Sequence, residues 1–207
     1  MIAPQFAAPL ASIEVRDQGQ RRTCLAFALC ALGHAHSPDP AGLSPEYLYH
    51  HAASRMPNWV PDMGVSLEAA LDVSSRIALE KDCPYQPVDP PSPIPPAPSG
   101  TPCFGAPVVR KQAQIALIVS ELQQGKAVGL GLMLTDRFFL PVDGRVLDGG
   151  SVVPNSQHAV VAVGLRWEAD DPFFLIRNSW GIGWGASGCA WISSSYIHQH
   201  AICAFGG

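Results

Sequence analysis

A thiol, an imidazole and two amide side chains are spaced along this chain in a way that could support nucleophilic chemistry. A cysteine attacks a carbonyl at neutral pH when its thiolate is favoured, which a helix N-terminus and a neighbouring imidazole both do. Cys24 opens the run Cys24-Leu25-Ala26-Phe27-Ala28-Leu29, apolar and rich in helix formers, so the sequence predicts the thiol in the first turn of a buried helix. His158 begins an apolar, strand-like run 134 positions downstream and could act as the base. Asn178, 20 residues further on at the end of the next such run, could accept a hydrogen bond from the ring and orient it. Gln18, six residues before Cys24, could join the Cys24 backbone N–H in stabilising a developing oxyanion.

The elements that must hold these groups fall into two unlike halves. Thr23 to about Gly33 reads as the first helix. Ser44 before Pro45 is a cap with proline at the first helical position, predicting a helix over Glu46 to Ser54, and Ser66 caps an expected helix over Leu67 to Leu79. Ten of the 20 prolines lie between Pro84 and Pro107, which reads as an extended loop or linker. Beyond it come an amphipathic helix, about Gln112 to Gln124, and strand-like runs at Ala127 to Leu134, Ala159 to Leu165, Phe173 to Arg177 and Cys189 to Ser193.

Composition narrows the function. The 207 residues are 47% hydrophobic, enough for a real core, and the formal net charge of −4 with no basic run argues against a nucleic-acid partner. No uncharged apolar stretch approaches the roughly 18 residues of a membrane helix. Met1 to Ser12 lacks a basic start and a continuous apolar stretch, so a cytoplasmic location, or a chain with a segment trimmed off, is expected. The six cysteines form no C-x-x-C pair, and with Cys24 as nucleophile at least one other is unpaired, which suits a reduced compartment. The pairs His34 with His36, His50 with His51 and His198 with His200 are expected to be solvated, as are Arg21 and Arg22; no metal or cofactor is expected.

Three blocks together resemble the papain-like cysteine peptidases in order and spacing. They are Asp17-Gln18-Gly19-Gln20 with Cys24-Leu25-Ala26-Phe27, then Gln157-His158-Ala159-Val160, then Arg177-Asn178-Ser179-Trp180-Gly181 with Gly183-Trp184-Gly185. Leu43-Ser44-Pro45-Glu46 and Met63-Gly64-Val65-Ser66 resemble bacterial members more than animal cathepsins. The resemblance implies an α+β, two-lobed fold: a helical lobe over about 17–83, a proline-rich connection over about 84–107, a β-rich lobe over about 108–207, and the active site in the cleft between the lobes. It implies Cys24 as nucleophile, His158 as general base and then acid, Asn178 as orienter and Gln18 in the oxyanion hole. Trp180 resembles the indole that shields the His–Asn bond, and Gly64 the glycine whose backbone pairs with an extended substrate. Arg21-Arg22-Thr23-Cys24-Leu25 departs from the Cys-Gly-Ser-Cys-Trp of papain and the cathepsins, so the usual neighbouring disulfide is lost and Leu25 changes the packing behind the nucleophile.

The function implied is a cysteine endopeptidase acting on extended polypeptides through an acyl-enzyme, without cofactor. Acyl transfer or isopeptide cleavage by the same triad, and a catalytically silent peptide-binding module, are the alternatives. Only 17 residues precede Gln18, against the long inhibitory propeptide usual in the family, so control is expected from a protein inhibitor or regulator, from location, or from a segment trimmed off.

Overall fold

The computed structural model describes residues 3–86, 88–89 and 100–207. In chain order the elements are β1 (Phe6–Ala7), α1 (Cys24–Leu32), α2 (Pro45–Ala53), α3 (Leu67–Leu71), β2 (Ile77–Ala78), β3 (Cys103–Phe104), β4 (Val109–Lys111), α4 (Ile115–Gln123) and β5 (Val128–Thr135). They continue with α5 (Asp136–Phe139), β6 (Val152–Glu168), β7 (Asp171–Arg177), β8 (Cys189–Ser193), α6 (Ser194–His200) and β9 (Ala201–Gly206). Two compact units result: residues 18–109 with Gly207, and residues 1–17 with 110–206.

The first of these is helical. The middle of α1, Ala26 to Cys30, is buried, as an apolar helix must be, and it packs with α2 and α3. Ser44 caps α2 by accepting from the Tyr47 N–H at 3.0 Å, and Ser66 caps α3 by accepting from the Ala69 N–H at 3.2 Å. The helix expected to run to Leu79 stops at Leu71 instead. Ser74 donates to the Leu71 carbonyl at 2.8 Å and accepts from the Val108 N–H at 3.1 Å, so the chain after α3 is drawn towards residues 103–108. Ile77 and Ala78 then pair with Phe104 and Cys103 as a two-stranded ribbon. The described ends of the proline-rich stretch belong to this unit; residues 87 and 90–99, the middle of the stretch expected to be an extended loop or linker, lie outside the described residues.

The other unit is built on a sheet of order β4-β9-β5-β6-β7-β8, with β1 added to β6. Its apolar core lies where Leu130, Leu132, Val160, Ala162, Phe174 and Ile176 meet α4 and α6. Helix α4 presents Ile115, Ile118, Val119 and Leu122, at helical spacing, to that core. The four expected strands are present, β6 being much longer than the expected Ala159 to Leu165. Helices α5 and α6 and strands β1, β4 and β9 were not anticipated, and α4 begins at Ile115 rather than Gln112. No helix of the described residues is long and apolar enough to cross a membrane, and no disulfide joins any two of the six cysteines, all of them among the described residues.

The Phe205 ring on β9 lies across Gly129, its partner on β5, and leaves no room there for a side chain: an added Cβ would lie 2.1 Å from the ring. Gly129→Ala is expected to lower unfolding stability by about 1–3 kcal/mol, the usual cost of overpacking, as read from the urea midpoint at unchanged slope.

Candidate active site

In the sheet unit the register of β6 and β7 decides who meets whom. Val161 pairs with Arg177, and continuing this antiparallel register past the end of β7 sets position 158 opposite position 180. The structure brings His158, Asn178 and Trp180 together accordingly. His158 Nε2 lies 2.6 Å from Asn178 Oδ1, and the Trp180 ring sits over the imidazole with 4.6 Å between centroids at a tilt of 34°. The Ser179 N–H also donates to Asn178 Oδ1, at 2.8 Å, which identifies that atom as the oxygen. An oxygen can only accept, so His158 Nε2 carries the hydrogen and the lone pair of the neutral ring is on Nδ1.

Aromatic packing encloses this pair. Phe138, fully buried, contacts the edges of His158 and Trp180, while Phe139 stacks on Trp180 at 5.5 Å. The Trp184 indole N–H donates to the Phe138 carbonyl at 3.0 Å, fixing the short helix α5 beneath the site. Burial strips the imidazole of water and pushes its pKa down to about 4, against the opposing effect of the Asn178 bond. The turn after Asn178 is tied to the N-terminal segment: the Arg177 guanidinium donates to the Ile13 and Glu14 carbonyls, the Gly181 N–H to the Arg16 carbonyl at 3.3 Å, and Asp17 bridges Trp180.

Cys24, Gln18 and Gly64 belong to the helical unit. Cys24 is the first residue of α1, half-buried, and the preceding Thr23 gives no side-chain cap, its hydroxyl lying instead 2.8 Å from the Tyr85 hydroxyl. Gln18 is buried, with Nε2 donating to the Arg21 carbonyl at 2.7 Å. Gly64 has φ +80° and accepts from the Trp59 indole at 3.0 Å, while an added Cβ would press on the Arg22 backbone at 3.3 Å. Arg21, expected to be solvated, is buried and bonded to Glu46 and Asp89; Arg22 is exposed. His50, also expected in solvent, is buried with Nε2 2.6 Å from Glu46 Oε1. Among the described residues no three His, Cys, Asp or Glu side chains gather in a group that could hold a metal ion.

Sequence reasoning missed Arg21, Tyr85, Asp89 and Phe138. Glu46 had a signal, its place in the Leu43-Ser44-Pro45-Glu46 match, whereas Asp89 lay among prolines with none.

The model of the papain family cysteine protease matches residues 66–204, about two thirds of the chain, a stretch that contains His158, Asn178 and Trp180 and starts after Cys24. The chain belongs to the papain family of cysteine proteases. Among its relatives is cysteine proteinase RD21A of Arabidopsis thaliana, 32% identical over a 125-residue alignment that covers 54% of this chain and 24% of that protein. This papain-family chain thus aligns with only about a quarter of that curated relative. The fold is also that of xylellain, a cysteine protease from Xylella fastidiosa, with a TM-score of 0.79 at 22% identity over 98% of this chain and 85% of xylellain. The digestive procathepsin L 3 of Tenebrio molitor larval midgut gives 0.71 at 19% identity, over 97% of this chain and 66% of that one. These two likenesses show an α+β, papain-like fold.

The depressed His158 pKa has a thermodynamic consequence with a definite sign. Between about 6.5, its ordinary value, and about 4, the unfolded chain binds a proton that the folded chain refuses, so this residue's contribution to stability is lost as pH falls through that window. Titration of the His158 ring by NMR is expected to give a midpoint near 4 in the parent chain, moving towards 6.5 in Trp180→Ala as water reaches the imidazole. A Trp180→Ala midpoint that stays near 4 would show that the indole does not keep the ring dry.

Proposed function

We propose that the chain hydrolyses peptide bonds, with Cys24 as nucleophile, His158 as base and acid, Asn178 as orienter and Gln18 as oxyanion donor. The observation that carries this reading is the double acceptance at Asn178 Oδ1, which leaves His158 with a basic Nδ1. With its pKa near 4 that nitrogen is unprotonated at neutral pH, as a base must be. The N–H dipoles at the start of α1 favour a thiolate at its first residue, Cys24.

In the proposed reaction the Cys24 proton passes to His158 Nδ1 and the sulfur forms a bond to the substrate carbonyl carbon, turning the carbonyl oxygen into an oxyanion. Gln18 Nε2–H and the Cys24 N–H donate to that oxygen. His158 Nδ1–H then protonates the leaving amine as the C–N bond breaks, leaving a thioester on Cys24. Water, giving a proton to the same Nδ1, adds to the thioester; collapse returns the proton to sulfur and releases a carboxylic acid. Trp180 over the imidazole excludes water from the His158–Asn178 bond.

Intact-mass spectrometry after brief exposure to a peptidyl epoxide tests the reading. A single adduct is expected on the parent chain, absent in Cys24→Ala and strongly slowed in His158→Ala, whose kcat/KM on a fluorogenic peptide amide should fall by about 10²–10⁴. No adduct, or similar labelling of several of the cysteines, would leave a papain-type fold that binds without cleaving. Product analysis with an added amine separates hydrolysis from acyl transfer.

A further inference from the structure

Between Gln18 and Cys24 the chain forms turns and loop, with Gly19 at φ +59°, so regular backbone hydrogen bonding does not set its course. One buried cation does. Arg21 is 3% exposed; its Nη1 donates to Glu46 Oε2 at 2.6 Å and to the Gln86 carbonyl at 2.5 Å, and its Nε to Asp89 Oδ1 at 2.5 Å. The guanidinium carbon lies 5.0 Å from the Tyr49 ring centre and 4.9 Å from that of Tyr85. The carboxylates are themselves held: Glu46 by His50 Nε2 at 2.6 Å and the Gln86 N–H at 2.9 Å, Asp89 by the Tyr49 hydroxyl at 3.0 Å and the Asp62 N–H at 2.8 Å.

The main chain of the same residue faces the proposed chemistry. The Arg21 carbonyl accepts from Gln18 Nε2 at 2.7 Å and from the Thr23 N–H at 2.9 Å. Tyr85, beside the guanidinium, donates its hydroxyl hydrogen to the Gln18 carbonyl at 2.8 Å. Caging the side chain therefore fixes the carbonyl that aims the Gln18 amide, one residue removed from any contact with a reacting atom. A buried ion cluster of this kind adds little net stability over apolar packing of the same volume, whereas its geometry is exacting.

We propose that Arg21, gripped by Glu46 and Asp89, is a positioning residue for the oxyanion donor, acting through the Gln18 side chain. The inference rests on the reading of Gln18 as that donor. Removing the cation would strand two buried carboxylates and could unfold the unit, so the informative change is the near-isosteric Asp89→Asn, with Glu46→Gln as a second variant should the first fail to give a native circular dichroism spectrum.

The test is a double-mutant cycle in kcat and KM on a fluorogenic peptide amide. Gln18→Ala is expected to lower kcat about 100-fold, as loss of an oxyanion donor does. Asp89→Asn should lower kcat about 10-fold with KM within about twofold, and should cost less than about threefold when added to Gln18→Ala. The inference is overturned if Asp89→Asn leaves kcat unchanged, or if it costs the same factor with and without Gln18. A Gln18→Ala variant with unaltered kcat overturns the reading of Gln18 and this inference with it, a result told apart from the others because there the single Gln18 variant is impaired.

Discussion

An imidazole withdrawn from water must have its nitrogens accounted for, and in the sheet unit a single amide oxygen does that for one of them. Asn178 Oδ1 can serve because the Ser179 N–H already fixes which way the amide points, and Asn178 itself is anchored by its N–H to the Gly188 carbonyl. The position of that turn follows in turn from the β6–β7 register and from the Arg177 guanidinium on the N-terminal segment. Phe138, Trp180 and Trp184 then fill the space around the ring, so that packing and proton placement depend on one another.

The helical unit solves its own positioning problem with charge. Burial would raise the Glu46 and Asp89 carboxyls, but the hydrogen bonds they accept, from His50 and Arg21 for Glu46 and from the Asp62 N–H and Arg21 for Asp89, hold both below the usual carboxylate range. Their contribution to stability is therefore present above the ordinary carboxylate pKa and lost only as pH falls below it. His158 moves the same way for a different reason, burial outweighing its bond to Asn178. All three shifts are downward, so at neutral pH the imidazole is neutral and both carboxylates are ionised, the states on which the proposed chemistry depends.

What could be read in advance was local. Ser44-Pro45 and Ser66 announce helix starts because a cap needs only its next three residues, and β8 coincides with Cys189 to Ser193 because a run of that length at the sheet edge has few alternatives. The end of α3 was not legible, since it depends on Ser74 meeting Val108, 34 positions away. Arg21 next to Arg22 reads as a solvated pair until Glu46 and Asp89 arrive from distant parts of the chain. His158, Asn178 and Trp180 were legible as residue types in order; the tautomer of the imidazole was not, because it follows from the Ser179 N–H.

The sheet unit is made from two stretches of chain, residues 1–17 and 110–206, separated by all of the helical unit. On a ribosome, Phe6 and Ala7 emerge long before their partners Leu165 and Gly164, and β5 waits for β9. The helical unit, nearly contiguous, can complete its contacts while the sheet is still being synthesised, whereas the sheet must close a loop spanning the whole of its neighbour. Late, long-range strand pairing of this kind is slow, so the nucleophile's surroundings are in place before those of the proposed base, and a half-made chain carries the thiol without its imidazole.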